Sequence, residues 1–252
     1  MFLPGTANIR ISWYNEPTTI IIGDRRFEHL PRCALFGPSS RATEARTHGG
    51  VMIAIGVSAL GWARLFEHSA ADVADAVVPL DKVWPTEDAT ALWDLMQASN
   101  LAQPLAPLLD RFLLNRFQPQ RRGEPLITLM ARLIVDEGIV RVCDIVDAME
   151  IDEARVRRLA YRYFGFSPRS LLRRARFLRS IIAVSNGAEG STAQEISQAY
   201  FDQSHFIREA RHVLGMTPKQ FVELEQPLLA ASLELRPRVL GSVTQALQLI
   251  HR

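Results

Sequence analysis

The chain has 252 residues, 48% of them hydrophobic, enough to bury one substantial core or two smaller ones. A formal charge of +2 says little about partners, but Lys82 and Lys219 are the only lysines, so nearly all the positive charge is arginine. Cys33 and Cys143 stand far apart without a CxxC partner, which argues against a disulfide framework or a zinc ribbon and fits a reduced, cytoplasmic compartment.

Met1-Phe2-Leu3-Pro4-Gly5-Thr6 lacks the basic and long apolar regions of a signal peptide. The most apolar run, Gly50 to Ala63, carries several glycines and is too short to span a bilayer, so no membrane partner is expected. Ile9, Ile11 and Trp13 alternate with Asn8, Arg10 and Ser12, the period of a half-buried strand. Thr18 to Ile22 is a β-branched run stopped by the turn pair Gly23-Asp24. Cys33 to Phe36 and Val51 to Val57 read as further strands, which together predict a small, mostly antiparallel domain. Leu60 to Glu67 and Ala70 to Val78 read as helices, the second ended by Pro79.

His29, His48 and His68 are scattered without metal-pair spacing, and neither a GxSxG elbow nor a P-loop is present, so no metal, cofactor or catalytic residue is expected. Trp13, Trp62 and Phe66 read either as plain core or as the wall of an apolar ligand pocket. Thr86 reads as the cap of a helix with Leu92, Leu95 and Met96 on its apolar face. Leu108, Leu109, Phe112, Leu113 and Leu114 follow in a second helix. Gln118 to Pro125 is polar, with Pro and Gly, and reads as a linker.

Beyond it a unit occurs twice. Gly165 and Gly215, Pro168 and Pro218, and Arg158 and Arg208 are each fifty positions apart, a self-similarity at one offset. In the first copy Val142, Ile145, Val146 and Met149 form a helical stripe. Asp152 then caps a second helix that buries Val156, Leu159, Ala160 and Tyr163 and presents Arg155, Arg158 and Arg162. Gly165 stops it, and Ser167-Pro168 restarts a longer helix. In the second copy Ala193, Ile196 and Tyr200 back a scaffold helix, and Asp202 caps the next. There Phe206, Ala210 and Val213 face inward, while Ser204, His205, Arg208 and Arg211 face outward. Thr217-Pro218 repeats the cap.

Two short helices joined by a tight turn form a helix-turn-helix, whose second helix enters the major groove. Nine arginines, Arg155, Arg157, Arg158, Arg162, Arg169, Arg173, Arg174, Arg176 and Arg179, follow one another with no acid between them. A charge run is usually a solvated face, and a bias toward arginine codons would also raise the count. An acid-free block on and behind a recognition helix points instead to a polyanion. Arginine pairs bidentately with guanine, and Gln203 can do so with adenine. Arg169 and Lys219, at the starts of helices, suit phosphate. His205 reads either as a DNA contact or as a cap or core hydrogen-bonding residue.

Asp202-Gln203-Ser204-His205-Phe206-Ile207-Arg208, followed by Gly215-Met216-Thr217-Pro218-Lys219-Gln220-Phe221, closely resembles the C-terminal signature of AraC/XylS-type transcription regulators. The resemblance runs from about Glu124 to Gln226, and the first copy, with Arg158, Gly165, Ser167 and Pro168, is similar to the family's first unit. It implies base contacts from Arg155, Arg157 and Arg158 and from Gln203, Ser204, His205 and Arg208. It also implies a joining helix, about Pro168 to Val184, that holds the recognition helices about one DNA turn apart.

The chain departs from the pattern at Ala154, at Ala160 and Ala210 where Phe is usual, and at Ala199 where Gly is usual. Tyr161 or Tyr163 is expected to fill the volume. Ile11-Ser12-Trp13-Tyr14-Asn15, Leu35-Phe36-Gly37-Pro38 and Val77-Val78-Pro79-Leu80-Asp81 resemble an N-terminal domain fused to such regulators, for which a cupin-like effector domain is the analogy. Ser58-Ala59-Leu60-Gly61 stands where that domain usually has Pro-Gly.

The expected fold is therefore α+β. Residues 1–85 form a β-rich sensing or dimerisation domain, 86–123 a helical connector and linker, 124–226 the all-α DNA-binding domain, and 227–252 a helical tail. The partners implied are double-stranded DNA, with RNA polymerase, a small-molecule effector and a second copy of the chain as candidates. Regulation of transcription is the expected role, with activation and repression both open, and the site residues are Arg155, Arg157, Arg158, Arg162, Arg169, Gln203, Ser204, His205, Arg208, Arg211 and Lys219. Two alternatives stay open. One is a DNA-targeted enzyme that transfers an alkyl group to a cysteine, with Cys33 as the nucleophile and Cys143 as inert core. The other is a ligand-binding module whose DNA contact is incidental.

Overall fold

A computed structural model describes residues 1–14, 18–100, 102–119, 123–185 and 203–224. The expected scaffold helix around Ala193 to Tyr200, with Ala199, the Asp202 cap and the tail 227–252, lies outside the described residues.

Among the described residues, seven strands build the N-terminal half: β1 Ala7–Tyr14, β2 Thr19–Ile22, β3 Arg25–Phe27, β4 Cys33–Phe36, β5 Thr43–Arg46, β6 Gly50–Val57 and β7 Val77–Pro79. They form two antiparallel sheets, one ordered β6-β1-β4-β7 and one ordered β3-β2-β5. Alternation along a strand decides what each face meets. Ile9, Ile11 and Leu35 point to the helical side, whereas Ala34 and Phe36 point the other way and pack on Ile20 and Ile22 of the smaller sheet. The half-buried reading of β1 fails at Arg10 and Ser12, which are also buried. The Arg10 guanidinium lies over the Phe36 ring at 3.8 Å and within 5.3 Å of the Phe2 ring, so an aromatic face covers part of its charge.

Helix α1, Ala59–Leu65, is capped by Ser58, whose side chain accepts from the Gly61 amide at 3.0 Å. The helix expected over Ala70 to Val78 is absent. Ala70–Val73 makes a single 3₁₀ turn capped by Ser69, and Val77–Pro79 is β7, paired with β4. Three β4 partners outweigh a short helical pattern interrupted by Asp75, whose φ of 52° already breaks the helix. Helices α2, Thr86–Gln97, and α3, Ala106–Leu114, follow, with Pro85 rather than Thr86 at the cap of α2. Leu92, Met96 and Leu109 join Ile9, Ile11, Trp62, Phe66 and Trp84 in one core. Trp62 stacks on Phe66 at 4.4 Å and Trp13 sits against Trp93 at 5.2 Å, so these aromatics are mainly core.

The C-terminal half contains α4 Glu124–Val135, α5 Val142–Met149, α6 Glu153–Leu159, α7 Pro168–Ser185, α8 Gln203–Leu214 and α9 Pro218–Glu223. The expected linker thus ends sooner than its composition suggests, because Glu124 and Pro125 open α4. Glu124 is buried and takes a two-pronged ion pair from Arg64 of α1, with contacts of 2.5 and 2.7 Å. Met130, Ile134, Ile145, Met149, Val156 and Leu171 pack α4, α5, α6 and α7 into one cluster. Phe177, Ile181, Phe206, Ala210, Val213 and Phe221 pack α7, α8 and α9 into another. Ala42, Met1 and Leu3 of the N-terminal half belong to or pack on that second cluster.

The loop after β4 shows how closely the N-terminal half is packed. A Cβ on Gly37 would lie 1.7 Å from the Val73 carbonyl oxygen, so backbone meets backbone there. Gly123 has nothing within 4 Å of such a Cβ and lies at φ −85°. Gly37→Ala is expected to cost about 3 kcal/mol in urea unfolding, and Gly123→Ala less than about 0.5 kcal/mol. Equal midpoints for the two variants would contradict the close approach at Gly37.

Candidate nucleic-acid interface

The unit made by α5 and α6 turns through Glu150, which takes a left-handed conformation at φ 53°. The Asp152 carboxylate accepts from the Arg155 amide at 2.7 Å and starts α6, as the sequence suggests. Val156 and Ala160 are fully buried beneath this helix, so its opposite face carries Arg155, Arg157 and Arg158, all exposed. After Leu159 the helix widens into a π-turn, Ala160–Phe164, before Gly165 closes it at φ 85°. Tyr163 enters the contact with α1 and α4, but Tyr161 is exposed and fills no core volume. Its ring lies 5.7 Å beneath the Arg157 guanidinium instead, which holds that side chain along the helix.

The second copy presents the same pattern. Phe206, Ala210 and Val213 bury one face of α8, with Phe206 6.0 Å from Phe177 of α7. Ser204, His205, Arg208 and Arg211 are exposed on the other, and only the backbone of Gln203 is described. Gly215 follows at φ 76°, the counterpart of Gly165. Thr217 and Gln220 form a reciprocal cap at the start of α9, where Lys219 is exposed and 3.8 Å from Glu223. Arg169, at the start of α7 beside the Ser167 cap, is exposed too, and Arg162 is half-buried. Arg155, Arg157, Arg158, Arg162, Arg169, Arg208 and Arg211 pair with no acid among the described residues.

Three arginines of the block are engaged elsewhere. Arg173 reaches across to α8 and holds the carboxylate of Glu209, a residue only 3% exposed, through Nε at 2.7 Å and through Nη2. Arg179 donates to the Val135 carbonyl at 3.3 Å and lies 3.8 Å from Glu137. Arg174 is buried, and its Nη1 donates to the carbonyls of Ser39 at 3.0 Å and Gly5 at 3.2 Å. Burial lowers its pKa to about 10, with the Asp75 carboxylate pulling the other way, so it remains charged at neutral pH. Sequence spacing placed all three with the rest of the block because the acids and carbonyls they meet come from distant segments.

A small cavity of about 50 Å³ lies between the halves, lined by Thr6, Pro38, Trp62, Ile134, Tyr163 and Arg174 among others. That is room for a few waters and not for a drug-sized effector. Trp62 alone of the three aromatics proposed as a pocket wall reaches it. Burial raises the Cys33 thiol to about 11, which keeps it protonated, whereas Cys143 is exposed and not the core residue expected. No helix among the described residues is long and apolar enough to cross a membrane.

No model of a known protein family matches the chain, and no curated protein matches it. Two solved structures of ToxT from Vibrio cholerae are similar to it. One, at 11% identity and a TM-score of 0.49, covers 88% of this chain and 91% of that chain. The other, from Vibrio cholerae O395, has 11% identity, a TM-score of 0.47, and covers 88% of this chain and 90% of that chain. At this identity neither assigns a role to any residue of this chain.

Two outcomes check the site's chemistry. Arg173→Ala, which strands the buried Glu209 carboxylate, is expected to cost about 2 kcal/mol of stability, against less than about 0.5 kcal/mol for Arg169→Ala. Equal losses would mean that the cross-helix pair contributes nothing. Cys143 is expected to react with a thiol reagent well before Cys33. A Cys33 rate above that of an unfolded cysteine would instead revive the nucleophile reading.

Proposed function

We propose that the chain is a sequence-specific DNA-binding transcription regulator of the AraC/XylS type. The observation that carries this reading is the pair of matched, exposed arginine faces on α6 and α8, fifty positions apart and both mounted on α7. Exposed guanidinium groups without acidic partners repel one another, and a duplex neutralises them while its base edges accept their paired N–H groups. α7 has 18 residues, a rod of about 27 Å, the scale needed to place two short helices in successive major-groove segments.

Arg155, Arg157 and Arg158 from α6, and Gln203, Ser204, His205 and Arg208 from α8, read base edges. Arg162, Arg169, Arg211 and Lys219 hold phosphates and set register. Two features of the molecule support that division. Arg155, Arg157, Arg158, Ser204, His205 and Arg208 are exposed on helices whose other side buries Val156 and Phe206, and Arg169 and Lys219 stand beside helix starts. Control of transcription falls to the N-terminal half, acting through a ligand, a partner or a second copy. The raised Cys33 pKa weighs against the alkyl-transfer alternative, which needs a thiolate.

Selection from random duplexes should return two short conserved blocks about one helical turn apart. On that site Arg158→Ala and Arg208→Ala should each lose about 1–3 kcal/mol and relax preference at one position in different blocks. Arg169→Ala should weaken all sequences alike and lower the salt slope by about one. A uniform loss from all three would show that α6 and α8 do not read bases.

A further inference from the structure

Both proposed recognition helices end on the N-terminal half. The last carbonyls of a helix have no partner inside it. In the first unit the Tyr161 carbonyl accepts from the Ser69 hydroxyl at 3.1 Å. In the second the Val213 carbonyl accepts from the Ala42 amide at 2.7 Å. A Cβ on Gly165 would come within 2.5 Å of Pro38 Cγ, so the turn after the first helix is seated directly on that proline. At Gly215, its counterpart after α8, no described residue lies within 4 Å of such a Cβ.

Between these two contacts the same loop meets α7. The Ser39 carbonyl accepts from buried Arg174 at 3.0 Å. One short stretch, Pro38 to Ala42, therefore touches the end of the first recognition unit, the middle of the joining rod and the end of α8. It is itself held from behind. The Asp75 carboxylate accepts from the Ser40 amide at 2.6 Å and the Ser40 hydroxyl at 2.7 Å, and the Asp75 amide donates to the Pro38 carbonyl at 2.9 Å. Asp75 adopts its left-handed φ of 52° while making these bonds.

Two helices mounted only on α7 would change their separation whenever that rod curved or twisted, as long helices do. A second connection between their ends closes the frame and removes that freedom. We infer that the strap Pro38 to Ala42 sets the distance between the two recognition helices and thereby the half-site spacing that the protein accepts. The strap is a positioning element, and its role rests on the DNA-binding reading above.

The test uses the full chain with Cys33→Ser and Cys143→Ser, and spin labels attached through Ala154→Cys on α6 and His212→Cys on α8, both exposed positions. Arg174→Met removes the central bond of the strap. Asp75→Gly removes its rear support, and glycine accepts the left-handed backbone, so this variant keeps the fold if the first does not. The parent should give one narrow label-to-label distance, and each variant a broad one. On duplexes carrying the two selected blocks with spacers lengthened or shortened by single base pairs, the parent should prefer one spacer by about tenfold, and the variants by less than about threefold. Base preference within each block should stay unchanged.

A distance distribution as narrow in both variants as in the parent would overturn the inference. So would a broadened distribution with the parent's spacer preference intact. Should no chain bind any duplex while the distances broaden, the DNA reading falls, and the half-site part of this inference falls with it.

Discussion

A buried guanidinium group must find acceptors, and Arg174 finds them across the boundary between the two halves. Its charge is expensive to bury, as the downward pull on its pKa shows. The Ser39 and Gly5 carbonyls offset that cost from one side, and Asp75 does so at longer range. The position is consequently intolerant of separation. If the halves parted, either the charge would return to water or the carbonyls would lose their donor. The surrounding contacts are consistent with a permanent junction. Ala59 and Ala63 of α1 pack with Ile127, Leu159, Tyr163 and Phe164, and Ala42 lies inside the cluster that holds α8.

This junction gives the helical half its orientation. α7 carries α5 and α6 on its first half through Leu171, Leu172 and Ala175, and α8 on its second through Phe177, Leu178 and Ile181. The arginines divide accordingly. Those facing the rod's neighbours, Arg173, Arg174 and Arg179, are consumed by Glu209, by loop carbonyls and by Val135 with Glu137. Those facing outward from α6 and α8 meet no acid among the described residues, and it is they that leave a positive surface.

Much of this was legible because the governing signals are local. Asp152 and Ser167 cap helices where their neighbours need an acceptor, and Gly165 and Gly215 take the left-handed backbone that ends a helix. The stripe Val142, Ile145, Val146 and Met149 turned its most buried members, Ile145 and Met149, inward. The short strands β3, β5 and β7 were not legible. Each spans only three or four residues; β3 is the short, polar half of a hairpin with β2, and β5 and β7 owe their conformation to partners far along the chain. The same cause hid the buried arginines. Arg10 and Arg174 look solvated by pattern, and only the arrival of Phe36 or of the Ser39 carbonyl makes burial tolerable. Cys143 erred the other way. With Val142 before it and Asp144 after it, it is exposed, while Ile145, Val146 and Met149 form the inner face of α5.

The most direct measurement of the junction is the cooperativity of unfolding of the whole chain, followed by calorimetry and by denaturant titration with separate probes in the two halves. A shared, Arg174-centred core predicts one transition, with coincident midpoints and a calorimetric enthalpy equal to the van't Hoff value. Two separate transitions, with the β-rich half and the helical half melting independently, would contradict it.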